Sequence, residues 1–579
     1  MWKLKLATSL FCAFLIFNPL SVLIADKLYL PDTAVNGPKG LEMHTYLDRL
    51  SNFGFHGSVL VAQNGEILLH QAYGLADVLN QIPNYTSTLF STGSVTKQFT
   101  AAAIVLLESR GKLNVEDLIG NYFDSIPSDK SAITIHHLLT HTSGLAHDYG
   151  ADDEIMERDS FIAYVLAQPL EFEPGEKYSY SNTGYSLLAA IIEKVSATEY
   201  EAFLQENFFA PLGMEHTGLY MLEVEDTLIA RSHNRQLGYP SPVDRPQDAW
   251  NLIGNGGILS TTGDMFRWFT TALQGSEVIP SEAVSKLLTP YVKEYPEMNS
   301  YYGYGWVIQD SERRDSKVIW HNGGAMPQGW SCAVYNYVDD SAVFIIFSNK
   351  PMDGLLPVDH IAVTLSKILF DEPYILPPQT AQIDDSLFIN LEDLYLLNDD
   401  DLIRVTISDG TMHLYPIGQK AVDALFQSSR QAVLPEYNEK TDSMLEALSN
   451  DDFAVAAEYW DTQSGIDAET ILRDWWRSFE SLGQVRNYVI LGTRMNETAE
   501  TYVRVNFEGG TEDLMFAWMD GLCQGVMPGK KPAKVMYPVS RMEFVSYSLT
   551  EQDSLKVIFQ RDNKMVIRNG NRSITAERK

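Results

Sequence analysis

Two residues in the stretch STGSVTKQFT, Ser91 to Thr100, have the types and spacing of a nucleophile and its activator. A serine hydroxyl is a weak nucleophile until a neighbouring base takes its proton. Ser94 and Lys97 stand three residues apart just before an apolar run, so on a helix they would share one face. A buried Lys97 would have a lowered pKa and could accept that proton. Ser94 would also lie at a helix N-terminus, where free backbone N–H groups favour an oxyanion.

The pair is not specific by itself. The same spacing occurs at Ser109 and Lys112, where Gly111 marks a helix end and the arrangement is structural. Taken alone, Ser94 would be read as a helix-capping serine. The catalytic interpretation therefore depends on what the rest of the chain supplies.

One supporting segment is YSYSNTGYSLL, residues 178–188, which runs into an apolar helix. A phenol at Tyr180, placed between Ser94 and Lys97, would relay a proton. The amide of Asn182 would orient the substrate. This segment supplies the proton path that the serine and lysine lack.

A second supporting segment is WHNGG, residues 320–324, which is predicted to be a strand carrying His321 and two glycines. Glycine allows a substrate backbone to lie against the strand edge. The N–H of Gly324 would complete an oxyanion hole with the N–H of Ser94.

These segments resemble the motifs of the serine β-lactamase and penicillin-binding-protein superfamily. The similarity is greatest to the branch with class C β-lactamases, D-peptidases and β-lactamase-like esterases. It covers roughly residues 35–370 and implies an α+β fold, an antiparallel sheet flanked by helices plus an all-helical subdomain. The matching stretches are, in the order of the family, Ser94-Val95-Thr96-Lys97, Tyr180-Ser181-Asn182 and His321-Asn322-Gly323, with flanking agreement in residues 133–145, 254–268 and 302–306.

The resemblance also implies roles for individual residues. Ser94 would be the acylated nucleophile, Lys97 its main activator and Tyr180 the group that shuttles the proton. The oxyanion would be held by the N–H groups of Ser94 and Gly324. No cofactor and no metal are implied. The substrate-binding residues would be Asn182, His321, Asn322 and Gly323.

The third motif departs from the pattern of many β-lactamases and penicillin-binding enzymes, which carry lysine where this chain has His321. A lysine is a permanent cation suited to a substrate carboxylate, whereas histidine is only partly charged near neutrality. The resemblance therefore favours hydrolysis of an ester, a small amide or a D-amino-acid peptide bond. The alternatives are a β-lactamase or DD-carboxypeptidase, and a sensor that is acylated without turnover.

Two other chemistries have weaker support. His137 and His141 share a helical face, and His147-Asp148 follows, but the further ligands of a zinc hydrolase are missing. The segment 329–333, GWSCA, is similar to a nucleophile elbow but lacks the last glycine and a following helix, so a core strand is predicted.

Composition narrows the partners and the cellular location. The net charge of −33 disfavours nucleic acid and anionic membrane surfaces, so small-molecule substrates are expected. Residues 1–25 have the pattern of a secretory signal peptide, with an uncleaved anchor as the alternative, and no later stretch is long enough to span a bilayer. Export with three cysteines suits a bacterial periplasm or exterior. The oligomeric state is not predicted.

The chain is predicted to contain several domains. A hydrolase domain at 30–370 is followed by a proline-containing linker at 371–384. Residues 385–432 and 533–579 resemble the two halves of a lipocalin-like β-domain. Between them, residues 436–530 resemble the cone of nuclear-transport-factor-like domains, with helices predicted at 441–460 and 464–483.

Within the hydrolase domain, the pattern predicts a hairpin at 57–74 that turns at Asn64-Gly65, and a buried helix at 96–113. A shorter helix is predicted at 133–145. Three consecutive strands are predicted at 316–324, 331–338 and 341–350. Strands from both ends would then form one antiparallel sheet with helices packed on it.

Overall fold

The structure is a computed structural model. It describes residues 30–579 except 152–153, 220–223, 233–248, 273, 326–328, 351–357, 382, 384–388, 409–410, 427–433, 462–466, 496–497, 550–554 and 571. The predicted signal peptide therefore lies outside the described residues. In the part that is described, no helix has the length and apolar character needed to cross a membrane. The chain forms two compact units, one of residues 30–47 and 55–374 and the other of residues 48–54 and 375–579.

The first unit contains a nine-stranded antiparallel sheet. Its order is β1-β3-β2-β9-β8-β7-β6-β5-β4, so strands from the start and the end of the unit meet at the β2–β9 pair. The expected sheet from both ends is confirmed. The strands are β1 (Ala34–Val35), β2 (Gly57–Gln63), β3 (Glu66–Tyr73), β4 (Val292–Lys293), β5 (Ser300–Tyr302), β6 (Val307–Asp310), β7 (Lys317–Ala325), β8 (Trp330–Tyr337) and β9 (Ala342–Ser348).

Helices pack on both faces of this sheet. On one face, Phe344 lies beside Tyr335, whose hydroxyl donates to Asp359 in the helix at 358–369. On the other face, the Ser58 hydroxyl lies 3.0 Å from the hydroxyl of Thr262, which begins the helix at 262–272. The helices of the unit are α1 (Gly37–Ser51), α2 (Thr96–Ser109), α3 (Ile135–Leu139), α4 (Arg158–Ala167), α5 (Asn182–Ser196), α6 (Tyr200–Leu204), α7 (Ala210–Leu212), α8 (Thr262–Ala272), α9 (Ser281–Leu287) and α10 (Val358–Leu369).

The hairpin that the sequence predicted at 57–74 is confirmed. Asn64 and Gly65 have φ values of 52° and 81°, the left-handed conformation that a two-residue hairpin turn requires. Asparagine and glycine tolerate this conformation better than other residues do. The pairing that follows places Val59 and Val61 in the core.

Helix α2 is the central helix of the unit. Every residue from Thr96 through Leu107 is buried. The helix ends at Ser109, and Gly111 follows with φ 67°, as expected of a helix stop. The helix predicted at 133–145 is shorter, because only residues Ile135–Leu139 are helical.

The second unit contains a closed eight-stranded barrel. Its order is β10-β11-β12-β17-β18-β19-β20-β21, and β10 pairs with β21 to close it. Alternate residues of β12 point inward, as in the sequence pattern. The barrel strands are β10 (Asp393–Leu396), β11 (Leu402–Ser408), β12 (Thr411–Ile417), β17 (Lys534–Ser540), β18 (Glu543–Val545), β19 (Leu555–Phe559), β20 (Lys564–Asn569) and β21 (Arg572–Arg578).

Between the two parts of the barrel, the chain forms a four-stranded sheet with its own core. Met444, Leu472 and Phe516 are among the buried residues of that core. The helix α11 (Gln419–Leu425) precedes this part and buries its apolar residues in the barrel core. The strands are β13 (Val485–Met495), β14 (Ala499–Phe507), β15 (Thr511–Met519) and β16 (Leu522–Pro528), and the helices are α12 (Leu434–Ser449), α13 (Phe453–Ala457) and α14 (Ala468–Arg477). The lipocalin-like and nuclear-transport-factor-like assignments stay predictions.

The helix prediction at 441–460 was wrong, because the chain breaks there into α12 and α13. Asp451 has φ 57° and interrupts the helix, and the side chain of Asp452 then caps α13 by accepting from the N–H of Val455. Of the helix predicted at 464–483, residues 464–466 lie outside the described residues, and the α-helical part of the remainder is α14, which is capped by Asp467. Acidic residues that favour caps thus set the helix ends.

Candidate active site

Ser94 is partly exposed in an otherwise buried stretch. It lies in a 3-10 turn, Gly93–Val95, that leads directly into α2. Between Ser91 and Leu107, Ser94 is the one residue that is not buried. The fold therefore presents a single hydroxyl of this stretch to solvent, at the N-terminus of a buried helix.

Lys97 is buried beneath Ser94 and contacts three oxygen atoms. Its Nζ lies 3.1 Å from the Ser94 Oγ, 2.7 Å from the Oδ1 of Asn182 and 2.9 Å from the carbonyl oxygen of Asn255. It also lies 4.8 Å from the ring centroid of Tyr180. Three separated parts of the sequence thus meet at one amine, which is positioned to exchange a proton with Ser94.

The Tyr180 hydroxyl is buried beside Ser94. No described group forms a hydrogen bond of normal geometry with this hydroxyl, although Ser94 is close enough to lower its pKa. Burial outweighs that effect, so the pKa of Tyr180 is raised and the phenol stays protonated at neutral pH. Tyr180 is therefore suited to donate a proton rather than to act as a phenolate base.

The strand β7 and the turn that carries Ser94 are in close backbone contact. A Cβ on Gly93 would lie 2.7 Å from the Gly324 nitrogen, and one on Gly323 would lie 2.1 Å from the Thr92 carbonyl oxygen. Both positions thus require glycine, and Gly93 has φ 49° in addition. The backbones of Ser94 and Gly324 are neighbours, as the predicted oxyanion hole needs.

His321 faces this site from β7, but it is only 3% exposed. Its Nε2 lies 3.1 Å from the Tyr302 hydroxyl and its Nδ1 lies 2.5 Å from the carbonyl oxygen of Asn322. Burial, together with the charge of Lys97, lowers the pKa of His321 to about 3. The ring is neutral at physiological pH, so it cannot act as the cation that the lysine of related enzymes supplies.

The Asn322 side chain points away from the site, so the prediction that it binds the substrate was wrong. Neighbouring residues of a strand face opposite sides of the sheet, so Asn322 and His321 cannot both reach the cleft. The Asn322 amide donates to the Asp359 carboxylate of α10 at 3.1 Å, and Tyr335 donates to the same carboxylate. Asn322 thus joins β7 to the helix on the far face.

His141 holds the chain on both sides of Tyr180. Its carbonyl oxygen accepts from the N–H of Ser179 at 2.9 Å, and its Nδ1 accepts from the N–H of Ser181 at 3.0 Å. Its ring lies against the phenol, with centroids 4.2 Å apart and planes 30° apart. His141 adopts φ 58°, a conformation that costs energy for most residues other than glycine. These contacts indicate that His141 positions Tyr180.

We expect His141→Ala to lower kcat about ten- to hundred-fold, because small displacements of a catalytic group carry costs of this size. His141→Asn keeps a side-chain acceptor for Ser181 and tolerates a positive φ, so it should recover most of the activity. The measurement is kcat, with its pH profile, for both variants. Full activity in the alanine variant would show that Tyr180 holds its position without this contact.

The other histidines of this region have structural contacts. His137 caps α3 in a capping box with Thr134, and the Nδ1 of His136 lies 2.7 Å from the Tyr304 hydroxyl. Among the described residues, no cluster of three or more histidine, cysteine, aspartate or glutamate side chains is arranged to hold a metal ion. The segment at 329–333 lies in the buried strand β8, where Ser331 donates to the carbonyl of Lys350.

The buried imidazole of His321 predicts an acid-sensitive fold. Its pKa is about 3 in the folded protein against an ordinary value of 6.5, so between these values the unfolded chain binds a proton that the folded chain does not. The stability contribution is complete above pH 6.5 and is lost as the pH falls toward 3, by up to about 1.4 kcal/mol per pH unit. The free energy of unfolding, measured with urea at about pH 7.5 and about pH 5.5, should decrease less on acidification for His321→Asn than for the wild type. Equal losses would contradict this expectation.

Comparison with known proteins identifies the family of this chain. A family model described as Beta-lactamase matches residues 55–364, which is more than half of the chain. The chain belongs to the beta-lactamase family. The family assignment also places it in the serine β-lactamase and penicillin-binding-protein superfamily, whose members are generally serine hydrolases. The recognition made from the motifs is thus confirmed, and so is the predicted fold class.

Two relatives come from Bacillus subtilis (strain 168). Penicillin-binding protein 4* is 32% identical over 399 residues, covering 65% of this chain and 86% of that protein. The putative penicillin-binding protein PbpX is 30% identical over 300 residues, covering 52% of this chain and 72% of that protein. Bacterial relatives of this kind are typically extracellular or periplasmic.

Two solved structures share the fold at lower identity. The octameric penicillin-binding protein homologue from Pyrococcus abyssi has a TM-score of 0.52 and 18% identity, covering 92% of this chain and 99% of that one. The D-amino acid amidase from Ochrobactrum anthropi SV3 has a TM-score of 0.50 and 22% identity, covering 57% and 99%. The similarity to the first structure extends across most of this chain, including much of the second unit.

Proposed function

We propose that this chain is an exported serine hydrolase that forms an acyl-enzyme at Ser94 and cleaves an ester, a small amide or a D-amino-acid peptide bond. The contact that carries the proposal is the one between the buried Lys97 amine and the partly exposed Ser94 hydroxyl, at 3.1 Å. The Ser109 hydroxyl, which has the same spacing to a lysine, instead donates to the carbonyl of Leu106 in its own helix at 2.8 Å.

The proposed reaction begins when Ser94 attacks the carbonyl carbon of the substrate. Lys97, once it has given up a proton, accepts the hydroxyl proton of Ser94, since burial keeps Tyr180 as a phenol that cannot act as the base. The negative charge on the carbonyl oxygen is held by the N–H groups of Ser94 and Gly324. Tyr180 then donates a proton to the leaving group and takes up the proton held by Lys97, which restores both groups. Water next attacks the acyl carbon, the ester bond to Ser94 breaks, and a proton of the water returns to the Ser94 oxygen.

The charge state of His321, in the third motif, indicates the class of substrate. A neutral His321 offers no cation to a substrate carboxylate, which disfavours efficient binding of penicillin-like acids. The fold shared with a D-amino acid amidase supports amide chemistry as one possibility for this chain. Export is supported by the apolar N-terminal segment and by the bacterial relatives.

The proposal is tested by steady-state assays on three probes: p-nitrophenyl acetate, a D-phenylalanine p-nitroanilide and the cephalosporin nitrocefin. We expect sustained release of nitrophenol or nitroaniline, and slower turnover of nitrocefin. A burst of one product equivalent without turnover would favour the sensor. Efficient turnover of nitrocefin alone would favour a β-lactamase.

A further inference from the structure

A carboxylate borders the nucleophile on the side of Asn182. The Asn182 amide oxygen accepts from Lys97 at 2.7 Å, and its Nδ2 donates to the Asp148 Oδ1 at 3.0 Å. A single amide thus separates the catalytic lysine from the Asp148 carboxylate. The catalytic scheme proposed above leaves Asp148 without a role.

The position of Asp148 is fixed by backbone contacts with the start of α5. The Ser181 hydroxyl donates to the carbonyl of Ala146 at 2.7 Å, and the N–H of Asn182 donates to the carbonyl of His147 at 2.9 Å. The loop that carries Asp148 is therefore held to the residues next to Tyr180. A group fixed in this way can select a substrate without a prior rearrangement.

Asp148 is charged and partly open to solvent. Its side chain is 39% exposed, and it pairs with His147 while accepting from Asn182. Burial opposes the charged form, but these two hydrogen bonds, together with the positive charges of His147 and Lys97, outweigh it and lower the pKa of Asp148. Glu294 is the other carboxylate whose charge raises the pKa of Tyr180. It accepts a hydrogen bond from the Tyr178 hydroxyl at 3.1 Å.

We infer that Asp148 binds the ammonium group of the substrate, so that this hydrolase prefers amino-acid amides, esters or peptides with a free amine next to the scissile carbonyl. The inference rests on the proposed function of Ser94. An ionised carboxylate only accepts hydrogen bonds, so its complement is a cationic N–H donor. His321 is buried beside the Tyr302 hydroxyl and its ring is neutral, so it does not compensate the negative charge of Asp148.

The test compares two substrates that differ only in charge, D-phenylalanine p-nitroanilide and its N-acetyl derivative. The wild type should have the higher kcat/KM for the free amine. Asp148→Asn keeps an acceptor for Asn182 but loses the charge, so kcat/KM for the free amine should fall about ten- to hundred-fold, with little change for the acetylated substrate. Asp148→Glu should restore part of the preference.

A general effect on the fold or on Tyr180 would lower both rates together and leave their ratio unchanged, which would overturn the inference. Glu294→Gln is the matched control, because it removes the other carboxylate near Tyr180 and should keep the preference for the free amine. Loss of that preference in Glu294→Gln but not in Asp148→Asn would assign the site to Glu294 instead.

The outcome also separates this inference from the proposed function. If the wild type cleaves the acetylated substrate as well as the free amine, Ser94 is still the nucleophile of a hydrolase but Asp148 does not select the substrate. If neither anilide nor ester is cleaved and Ser94 is not acylated, the proposed function and the inference are both wrong.

Discussion

Ser94→Ala should lower ester and amide hydrolysis at least about a thousand-fold, because no acyl-enzyme can form without the hydroxyl. The protein should stay folded. Ser94 is partly exposed and its removal leaves the buried Lys97 with two other oxygen partners, Asn182 and Asn255. The measurement is kcat/KM on p-nitrophenyl acetate, with the melting temperature determined on the same samples.

The chain offers a matched control for this variant. Ser109 has the same spacing to Lys112 that Ser94 has to Lys97, but its hydroxyl donates to the carbonyl of Leu106 in its own helix at 2.8 Å. Ser109→Ala should keep wild-type activity. Full hydrolysis by Ser94→Ala would place the nucleophile elsewhere in the chain.

Tyr180→Phe should separate catalysis from stability. Loss of the proton donor should lower kcat about a hundred- to ten-thousand-fold. The Tyr180 hydroxyl is buried without a hydrogen-bond partner among the described residues, and a buried unpaired polar group costs about 1–3 kcal/mol. The phenylalanine variant should therefore have a free energy of unfolding equal to or higher than that of the wild type.

Tyr200→Phe is expected to behave in the opposite way. The buried Tyr200 hydroxyl lies 2.6 Å from the Thr100 hydroxyl, so its removal should cost about 1 kcal/mol of stability and leave kcat within about two-fold. Urea unfolding and steady-state rates of both variants provide the comparison. A Tyr180→Phe variant that is destabilised yet fully active would refute the catalytic role of the phenol.

Much of the first unit could be predicted from local signals. The Asn64-Gly65 turn and the glycine stop after α2 follow from backbone preferences that act within a few residues. An antiparallel sheet made of strands from both ends of the unit was also predicted, whereas its strand order comes from the structure. Ser94 and Lys97 share a face because they are three positions apart where a 3-10 turn leads into α2, and such spacing can be read from a sequence.

The parts of the site that were missed depend on long-range packing. The carbonyl of Asn255 contacts Lys97, and the conformation of a distant backbone cannot be derived from spacing. The pair His147-Asp148 was noticed only as a possible metal ligand, whereas the structure joins Asp148 to Asn182. His141 was considered in the same way, although its contacts lie on both sides of Tyr180.

The third motif shows which errors could have been avoided. Neighbouring residues of a strand face opposite sides of the sheet, so His321 and Asn322 cannot both face the site. The prediction that both side chains bind the substrate could therefore have been corrected from the sequence. The neutral state of His321 could not, because it arises from burial against Tyr302 and from the charge of Lys97. Burial of this kind is a property of the assembled fold.

The most direct test of the acyl-enzyme is the mass of the labelled protein. The full chain is treated with a fluorophosphonate probe and digested with trypsin, and Ser94 should be found in the peptide of residues 50–97. We expect one probe adduct for each chain, on Ser94, and none on the Ser94→Ala variant. An adduct on any other residue, or no adduct on a protein that still hydrolyses esters, would contradict nucleophilic catalysis by Ser94.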